Sequence, residues 1–255
     1  MKIAISGKGG VGKTTISSMI AYGLAKRGRQ VLAIDADPNG SLAEALGYDP
    51  EKNGRIIPLI EQKSLIEERT GAKPGDMGGY FVLNPRTDDL IEKFSIEVNG
   101  IRVMVMGGLK EALTGCYCSE NALLRSFLRH LMVERDEWVV LDMEAGFEHL
   151  TRGTAQSVDL LLIVVEPGSR SVSTAKKITT LARQAGIPKI AYIANKIHND
   201  GQLAQISSML GTNDIRAVIS FDTEAVDADM KGCIPYEACP GIRGHIDSLV
   251  DSLEN

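Results

Sequence analysis

The feature that most constrains this chain is an eight-residue run near its start, residues 7–14, which reads GKGGVGKT. The apolar residues 2–6 before it predict a buried strand, and the apolar spacing after it predicts a helix over residues 14–27. The pattern G-x-x-x-x-G-K-T between a strand and a helix is typical of a phosphate-binding loop. Glycine lets the backbone aim its N–H groups at phosphate, and the helix N-terminus adds positive potential. The sequence therefore predicts a nucleotide site after the first strand.

Within this loop, each residue type suits a particular part of a nucleotide. Lys13 is expected to reach the β- and γ-phosphates, and the Thr14 hydroxyl is expected to be a Mg²⁺ ligand. The remaining residues predicted to bind ATP or ADP in this loop are Gly9, Gly10, Val11, Gly12 and Thr15.

Acidic residues end two further apolar runs. Residues 30–35 read QVLAID and residues 138–142 read WVVLD, so Asp35 and Asp142 follow predicted buried strands. Ligands bind outside the carboxyl ends of the strands in open α/β sheets, so Asp35 and Asp37 should face the nucleotide. Asp142 has the pattern of a carboxylate that holds the Mg²⁺ shell. The alternative for Asp35 and Asp37 is a turn that caps a helix beginning near Ser41.

Two cysteines, Cys116 and Cys118, form a C-x-C pair after the apolar run at residues 101–106. Closed thiolate sites usually have four ligands, and one pair supplies two. Two copies of the chain, each contributing one pair, would complete a four-thiolate site for tetrahedral Zn²⁺ or square-planar Ni²⁺. The alternative is that Cys116 and Cys118 are ordinary loop cysteines that bind no metal. For Cys233 and Cys239 we favour the interpretation that they are ordinary cysteines.

Apolar strand patterns alternate with helical ones along all 255 residues, which predicts a doubly wound, mostly parallel α/β sheet with helices on both faces, in one domain spanning residues 1–255. The net charge of −5 argues against a broad face for nucleic acid. We find no apolar run of about 18 residues and no room for a signal peptide, so we expect a cytoplasmic protein without stable membrane association.

A lysine early in the loop, Lys8, carries a resemblance to a known family. The run KGGVGKT resembles the deviant Walker A motif of the family that contains nitrogenase iron protein, MinD and ParA. The resemblance implies that Lys8 reaches across a dimer interface to the partner's nucleotide. It therefore also implies an ATPase whose active form is a homodimer enclosing ATP.

The same resemblance assigns roles to further residues. Asp37 would orient or activate the attacking water, and Asp35 would hold the Mg²⁺ shell. Asn195 would read the purine edge, Lys196 would pack its stem on the base, and Pro235 would lie against adenine. Asn195 could alternatively be the start of an ordinary loop.

The position of the C-x-C pair resembles that of the nickel-insertion ATPases that mature carbon monoxide dehydrogenase. This implies an ATP-driven carrier that delivers Ni²⁺ to an apo-enzyme through Cys116 and Cys118. Two alternatives stay open from sequence: a partitioning or positioning ATPase of the ParA or MinD kind, and an electron-transfer ATPase with a bridging iron–sulfur cluster at the same cysteines.

Overall fold

An eight-stranded sheet forms the centre of the described part of the computed structural model, which covers residues 1–37, 40–74, 80–107, 119–134, 137–144, 155 and 157–254. The strands are β1 Lys2–Gly7, β2 Val31–Ala36, β3 Ile96–Val98, β4 Ile101–Val105, β5 Trp138–Met143, β6 Leu160–Val165, β7 Ile190–Ile197 and β8 Ile215–Ser220. Their spatial order is β3-β4-β2-β5-β1-β6-β7-β8. All neighbouring pairs are parallel except β3 with β4.

Helices connect most of these strands. They are α1 Lys13–Lys26, α2 Leu42–Ala45, α3 Pro50–Asn53, α4 Lys63–Thr70, α5 Leu90–Phe94, α6 Ser119–Glu134, α7 Ser169–Ala185, α8 Asp200–Leu210, α9 Thr223–Met230, α10 Pro235–Ala238 and α11 Pro240–Glu254, with a 3₁₀ turn at Leu59–Glu61.

The sheet is buried on both faces. Strand β6 reads LLLIVV and all six of its residues are buried, as expected for a parallel strand covered on both sides. One apolar cluster includes residues of α4, α6, α7 and α8, and the other includes residues of α1, α2 and α11. The predicted fold class, a doubly wound and mostly parallel sheet with helices on both faces, is confirmed.

The strand order brings the predicted site residues to one edge of the sheet. Strand β1 lies between β5 and β6, so the loop after it emerges at the centre of the carboxyl edge. In the β2–β5 pair, Asp35 is the direct register partner of Asp142.

Within the described part of the chain, no helix has both the length and the apolar character needed to cross a membrane.

Candidate nucleotide site

A cleft of about 500 Å³ opens at the carboxyl edge of the sheet. The glycine loop, the first turn of α1, the end of β7, and the end of β8 with the residues after it line this cleft together. Predicted site residues among its lining are Gly9, Gly10, Gly12, Lys13, Thr14, Thr15, Asp37, Asn195 and Lys196. The volume lies within the range of sites that bind small molecules and cofactors.

The glycine loop leaves the start of α1 open toward this cleft. Gly12 is the residue before the helix, in the left-handed conformation with φ of 96°, and no side chain caps the helix there. A Cβ at Gly12 would lie 2.5 Å from the Asn195 amide nitrogen, so only glycine fits. Lys13 begins the helix and is only 6% exposed. Free N–H groups, a helix N-terminus and a lysine together form an anion site.

Asp142 connects the end of β5 to α1. Its two carboxylate oxygens accept hydrogen bonds from Thr14 Oγ1 at 2.7 Å and from Ser17 Oγ at 3.0 Å. Burial raises the pKa of Asp142 to about 6, while these two hydroxyl donors and the charge of Lys13 act to lower it. The predicted Mg²⁺ ligand Thr14 and the predicted Mg²⁺-shell carboxylate are therefore direct neighbours.

Asp35, the register partner of Asp142, is fully buried. Its carboxylate accepts hydrogen bonds from the Leu42 N–H at 2.9 Å and the Asp37 N–H at 3.2 Å. Burial raises its pKa to about 7; the Leu42 N–H opposes this rise, and the charge of Asp142 adds to it. A Cβ at Gly40 would lie 2.0 Å from the Asp35 carboxylate, which explains the glycine at that position.

These residues fit a Mg²⁺ site. Asp35 and Asp142 are two buried carboxylates side by side, and the pKa of each is raised chiefly by loss of water. Such a pair attracts a cation, and a hydroxyl next to it supplies a further oxygen ligand of the kind that Mg²⁺ prefers. Thr14, Asp142 and Asp35 are thus the side chains that would hold the ion or its water shell.

The raised pKa values predict an unusual pH dependence of stability without nucleotide and Mg²⁺. Between the ordinary carboxyl pKa of 3.8 and the raised values, the folded state binds more protons than the unfolded state. The free energy of unfolding should therefore fall as pH rises from about 5 to about 8, by on the order of 2 kcal/mol or about 4–8 °C in melting temperature.

Thermal denaturation of the wild type and Asp35→Asn at both pH values measures this effect. The amide cannot titrate, so the variant should lose less stability than the wild type as pH rises. An identical pH dependence in the two proteins would contradict the assignment of the raised pKa to Asp35.

The end of β7 holds the glycine loop in place. The Asn195 amide, which is 8% exposed, donates to the Val11 carbonyl at 2.8 Å. Lys196 adopts a left-handed backbone with φ of 58° and donates from Nζ to the Gly10 carbonyl at 2.6 Å. Both side chains therefore contact the loop in this conformation. Their predicted contacts with the base stay predictions.

Pro235 lies outside the lining of the cleft, and its predicted contact with adenine stays a prediction. Pro235 is buried at the first position of α10, a helix that contacts α1, and it is absent from the described residues that line the cleft. Ser220, the last residue of β8, lines the cleft together with Phe221 and Asp222, which follow it.

Lys8 contacts Glu166 and the glycine loop of the same chain. Its Nζ is 3.3 Å from Glu166 Oε1 and 3.4 Å from the Gly9 carbonyl. Glu166, which follows β6, was not selected from the sequence. The run Glu166-Pro167-Gly168 is an ordinary strand ending, and no motif in it points to a loop lysine 158 residues earlier.

Asp37 lines both the nucleotide cleft and a neighbouring cavity of about 330 Å³. Gly107, the last described residue before the segment 108–118, lines the same cavity. Cys116 and Cys118 lie in that segment, outside the described residues. Among the described residues, there is no group of three or more His, Cys, Asp or Glu that could hold a metal ion.

Residues 2–235 match the family model of the CobQ/CobB/MinD/ParA nucleotide binding domain. The chain belongs to this family. It is a nucleotide-binding ATPase, and its resemblance to MinD and ParA at the sequence level is confirmed.

Sequence identity to individual proteins is consistent with membership in this family. The chain is 44% identical over 253 residues to the carbon monoxide dehydrogenase accessory protein CooC of Rhodospirillum rubrum, covering 99% of this chain and 96% of that protein. It is 45% identical over 235 residues to an uncharacterized ATP-binding protein of Methanocaldococcus jannaschii, covering 91% and 90%.

Solved structures of the MinD/ParA family share the fold. MinD in the MinC:MinD complex of Aquifex aeolicus superposes with a TM-score of 0.69 at 21% identity, covering 100% of this chain and 96% of that chain. A ParA family ATPase of Chlorobium tepidum gives 0.67 at 18% identity, covering 100% and 98%. At these identities the likeness concerns the fold.

Proposed function

We propose that this protein is an ATP-driven metal carrier that binds Ni²⁺ through Cys116 and Cys118 at a homodimer interface and inserts it into carbon monoxide dehydrogenase. The observation that carries this proposal is the 44% identity, along 99% of the chain, to a protein named as a carbon monoxide dehydrogenase accessory protein. The C-x-C pair supplies a metal-binding chemistry that fits that role.

The nucleotide part of the cycle rests on the cleft. The open start of α1 and the backbone of residues 9–12 receive the phosphates, and Lys13 neutralises the β- and γ-phosphates. Mg²⁺, when bound, supplies charge neutralisation between the phosphates and the buried carboxylates. Asp37, which lines the cleft, orients the attacking water.

Lys8 completes the site from the other subunit. A lysine on the partner's γ-phosphate stabilises the charge that develops during hydrolysis, as a positioned cation does in phosphoryl transfer. The isolated chain lacks this second cation in its cleft, so hydrolysis is slow until two subunits close over two nucleotides.

A hydrogen bond between the ends of β2 and β4 connects the nucleotide site with the segment that contains the cysteines. The N–H of Met106, the residue after β4, donates to the Asp35 carbonyl at 2.8 Å. The segment 108–118 begins two residues after Met106, and α6 starts at Ser119 directly after Cys118. Movement around Asp35 and Asp37 on nucleotide exchange therefore reaches the start of the cysteine segment through the hydrogen-bonded ends of β2 and β4.

The metal site would form only when two subunits meet. Each subunit contributes two thiolates, which hold a metal ion weakly alone, and two pairs provide the four ligands of a closed site. ATP binding closes the dimer and forms or tightens this site. Hydrolysis opens it and releases Ni²⁺ to the apo-enzyme. Zn²⁺ can occupy the same ligands.

Activation of nickel-free carbon monoxide dehydrogenase tests the proposal. The apo-enzyme is incubated with Ni²⁺-loaded protein and ATP, and CO oxidation is followed over time. We expect faster activation than with ATP replaced by ADP or with free Ni²⁺ at equal concentration. Activation at the rate of free Ni²⁺ would contradict the carrier role.

The alternatives predict other observations. A ParA- or MinD-like role predicts ATP-dependent DNA shifts or sedimentation with liposomes, and the net charge of −5 argues against both. An electron-transfer role predicts a brown protein after anaerobic purification, with iron–sulfur absorbance that is lost when Cys116 and Cys118 are replaced.

A further inference from the structure

Three charged side chains meet beside the glycine loop. Glu166 places Oε1 3.3 Å from Lys8 Nζ and Oε2 3.3 Å from Lys196 Nζ, so one carboxylate joins two lysines. The Glu166 side chain is 23% exposed, compared with 37% for Lys8 and 40% for Lys196. This three-residue cluster brings together the loops that follow β1 and β6 and the end of strand β7, in which Lys196 lies.

Each member of the cluster is fixed on a different part of the fold. The Glu166 N–H donates to Ser171 Oγ at 3.1 Å, in the first turn of α7, and Ser171 is 2% exposed. Lys196 also donates to the Gly10 carbonyl at 2.6 Å, which anchors it to the loop. Lys8 has the weaker attachment, because its second contact, to the Gly9 carbonyl, is 3.4 Å long.

We propose that Glu166 is a positioning residue that holds Lys8 on its own subunit's loop until a second subunit presents its nucleotide. This inference rests on the proposed dimer, in which Lys8 must leave its own loop to reach the partner's phosphates. Lys196 lowers the free-energy cost of separating Lys8 from Glu166. When Lys8 leaves, Glu166 keeps a cation on its other oxygen, so no half-buried carboxylate is stranded without one.

We call the ion pair between Glu166 and Lys8 the tether. Substitutions of Glu166 and of Lys196, the second lysine that Glu166 contacts, should have opposite effects on the accessibility of Lys8. Glu166→Gln removes the carboxylate, and Lys8 becomes more accessible. Lys196→Met removes the competing cation, so Glu166 interacts with Lys8 alone and holds it more strongly. General loosening of the loop would instead expose Lys8 in both variants, so the signs separate a tether from a merely structural role.

Competitive amine labelling measures this tether on the nucleotide-free full chain. Acetylation of Lys8 is quantified by mass spectrometry relative to Lys177, an exposed lysine on α7. We expect labelling of Lys8 to rise about two- to fivefold in Glu166→Gln, the range set by a partly exposed ion pair, and to fall in Lys196→Met. The control, Asp214→Asn, removes a carboxylate from the exposed pair with Arg216 and should change nothing.

Dimerisation gives a second readout. With a non-hydrolysable ATP analogue, Glu166→Gln should reach half-dimer at an about two- to fivefold lower protein concentration than the wild type. Unchanged labelling of Lys8 in Glu166→Gln, or increased labelling in both variants, overturns the tether. If the wild type does not dimerise at all, the proposed function fails, and the labelling result still decides the tether.

Discussion

Replacing Lys13 by alanine is expected to lower ATP hydrolysis by at least about 100-fold, because this side chain supplies positive charge where negative charge develops. Lys13 is 6% exposed and begins α1 inside the cleft. Its charge also opposes the rise in the pKa of Asp142. The variant therefore loses the phosphate-binding cation and also the positive charge that favours the ionised form of the buried Asp142.

Steady-state phosphate release measures this loss, and Lys26→Ala is the matched control. Lys26 lies in the last turn of the same helix, is exposed, and contacts the Tyr22 ring outside the cleft. The Lys26→Ala variant should hydrolyse ATP at a rate within about twofold of the wild-type rate, as expected for a surface substitution. If Lys13→Ala stays folded and keeps more than a third of the wild-type rate, the phosphate site is misassigned.

Replacing both Cys116 and Cys118 by serine is expected to abolish stoichiometric Ni²⁺ binding while leaving intrinsic ATP hydrolysis intact. Serine keeps the size of the side chain and removes the thiolate, which is the soft ligand that selects such metals. Titration followed by Ni²⁺–thiolate absorbance should show a clear endpoint in the wild type and none in the double variant.

Cys233→Ser controls for the loss of a thiol in general. Cys233 is an exposed free cysteine that follows α9, in a different part of the sequence from the C-x-C pair. Its replacement should leave the titration endpoint unchanged. An unaltered endpoint in the Cys116/Cys118 variant would refute the metal role of the pair.

Sequence predicts this molecule well where a local residue pattern is compatible with only one local structure. The glycine loop needs a strand before it and a helix after it, and both are present as Lys2–Gly7 and Lys13–Lys26. Asp35 and Asp142 each end an apolar run, and parallel pairing then makes them neighbours. The sheet class follows from the same alternation of apolar strands and helices.

Contacts between distant segments were harder to predict. Nothing near Glu166 in sequence indicates Lys8 as its partner, because the pairing depends on the β1–β6 register. The contact of Pro235 with adenine is implied by resemblance alone and stays a prediction, because Pro235 does not line the cleft. Asn195 lines the cleft, but its contact with the Val11 carbonyl depends on how the loop folds, and no local pattern indicates it.

In the proposed cycle, two chains share one thiolate-bound metal ion under the control of nucleotide. Light scattering coupled to size exclusion, with metal analysis of each peak, tests it most directly with Ni²⁺ alone and with Ni²⁺ plus ADP or a non-hydrolysable ATP analogue. We expect a dimer with the ATP analogue that carries about one Ni²⁺ per two chains. A protein that stays monomeric in every nucleotide condition and still carries a full complement of Ni²⁺ would contradict it.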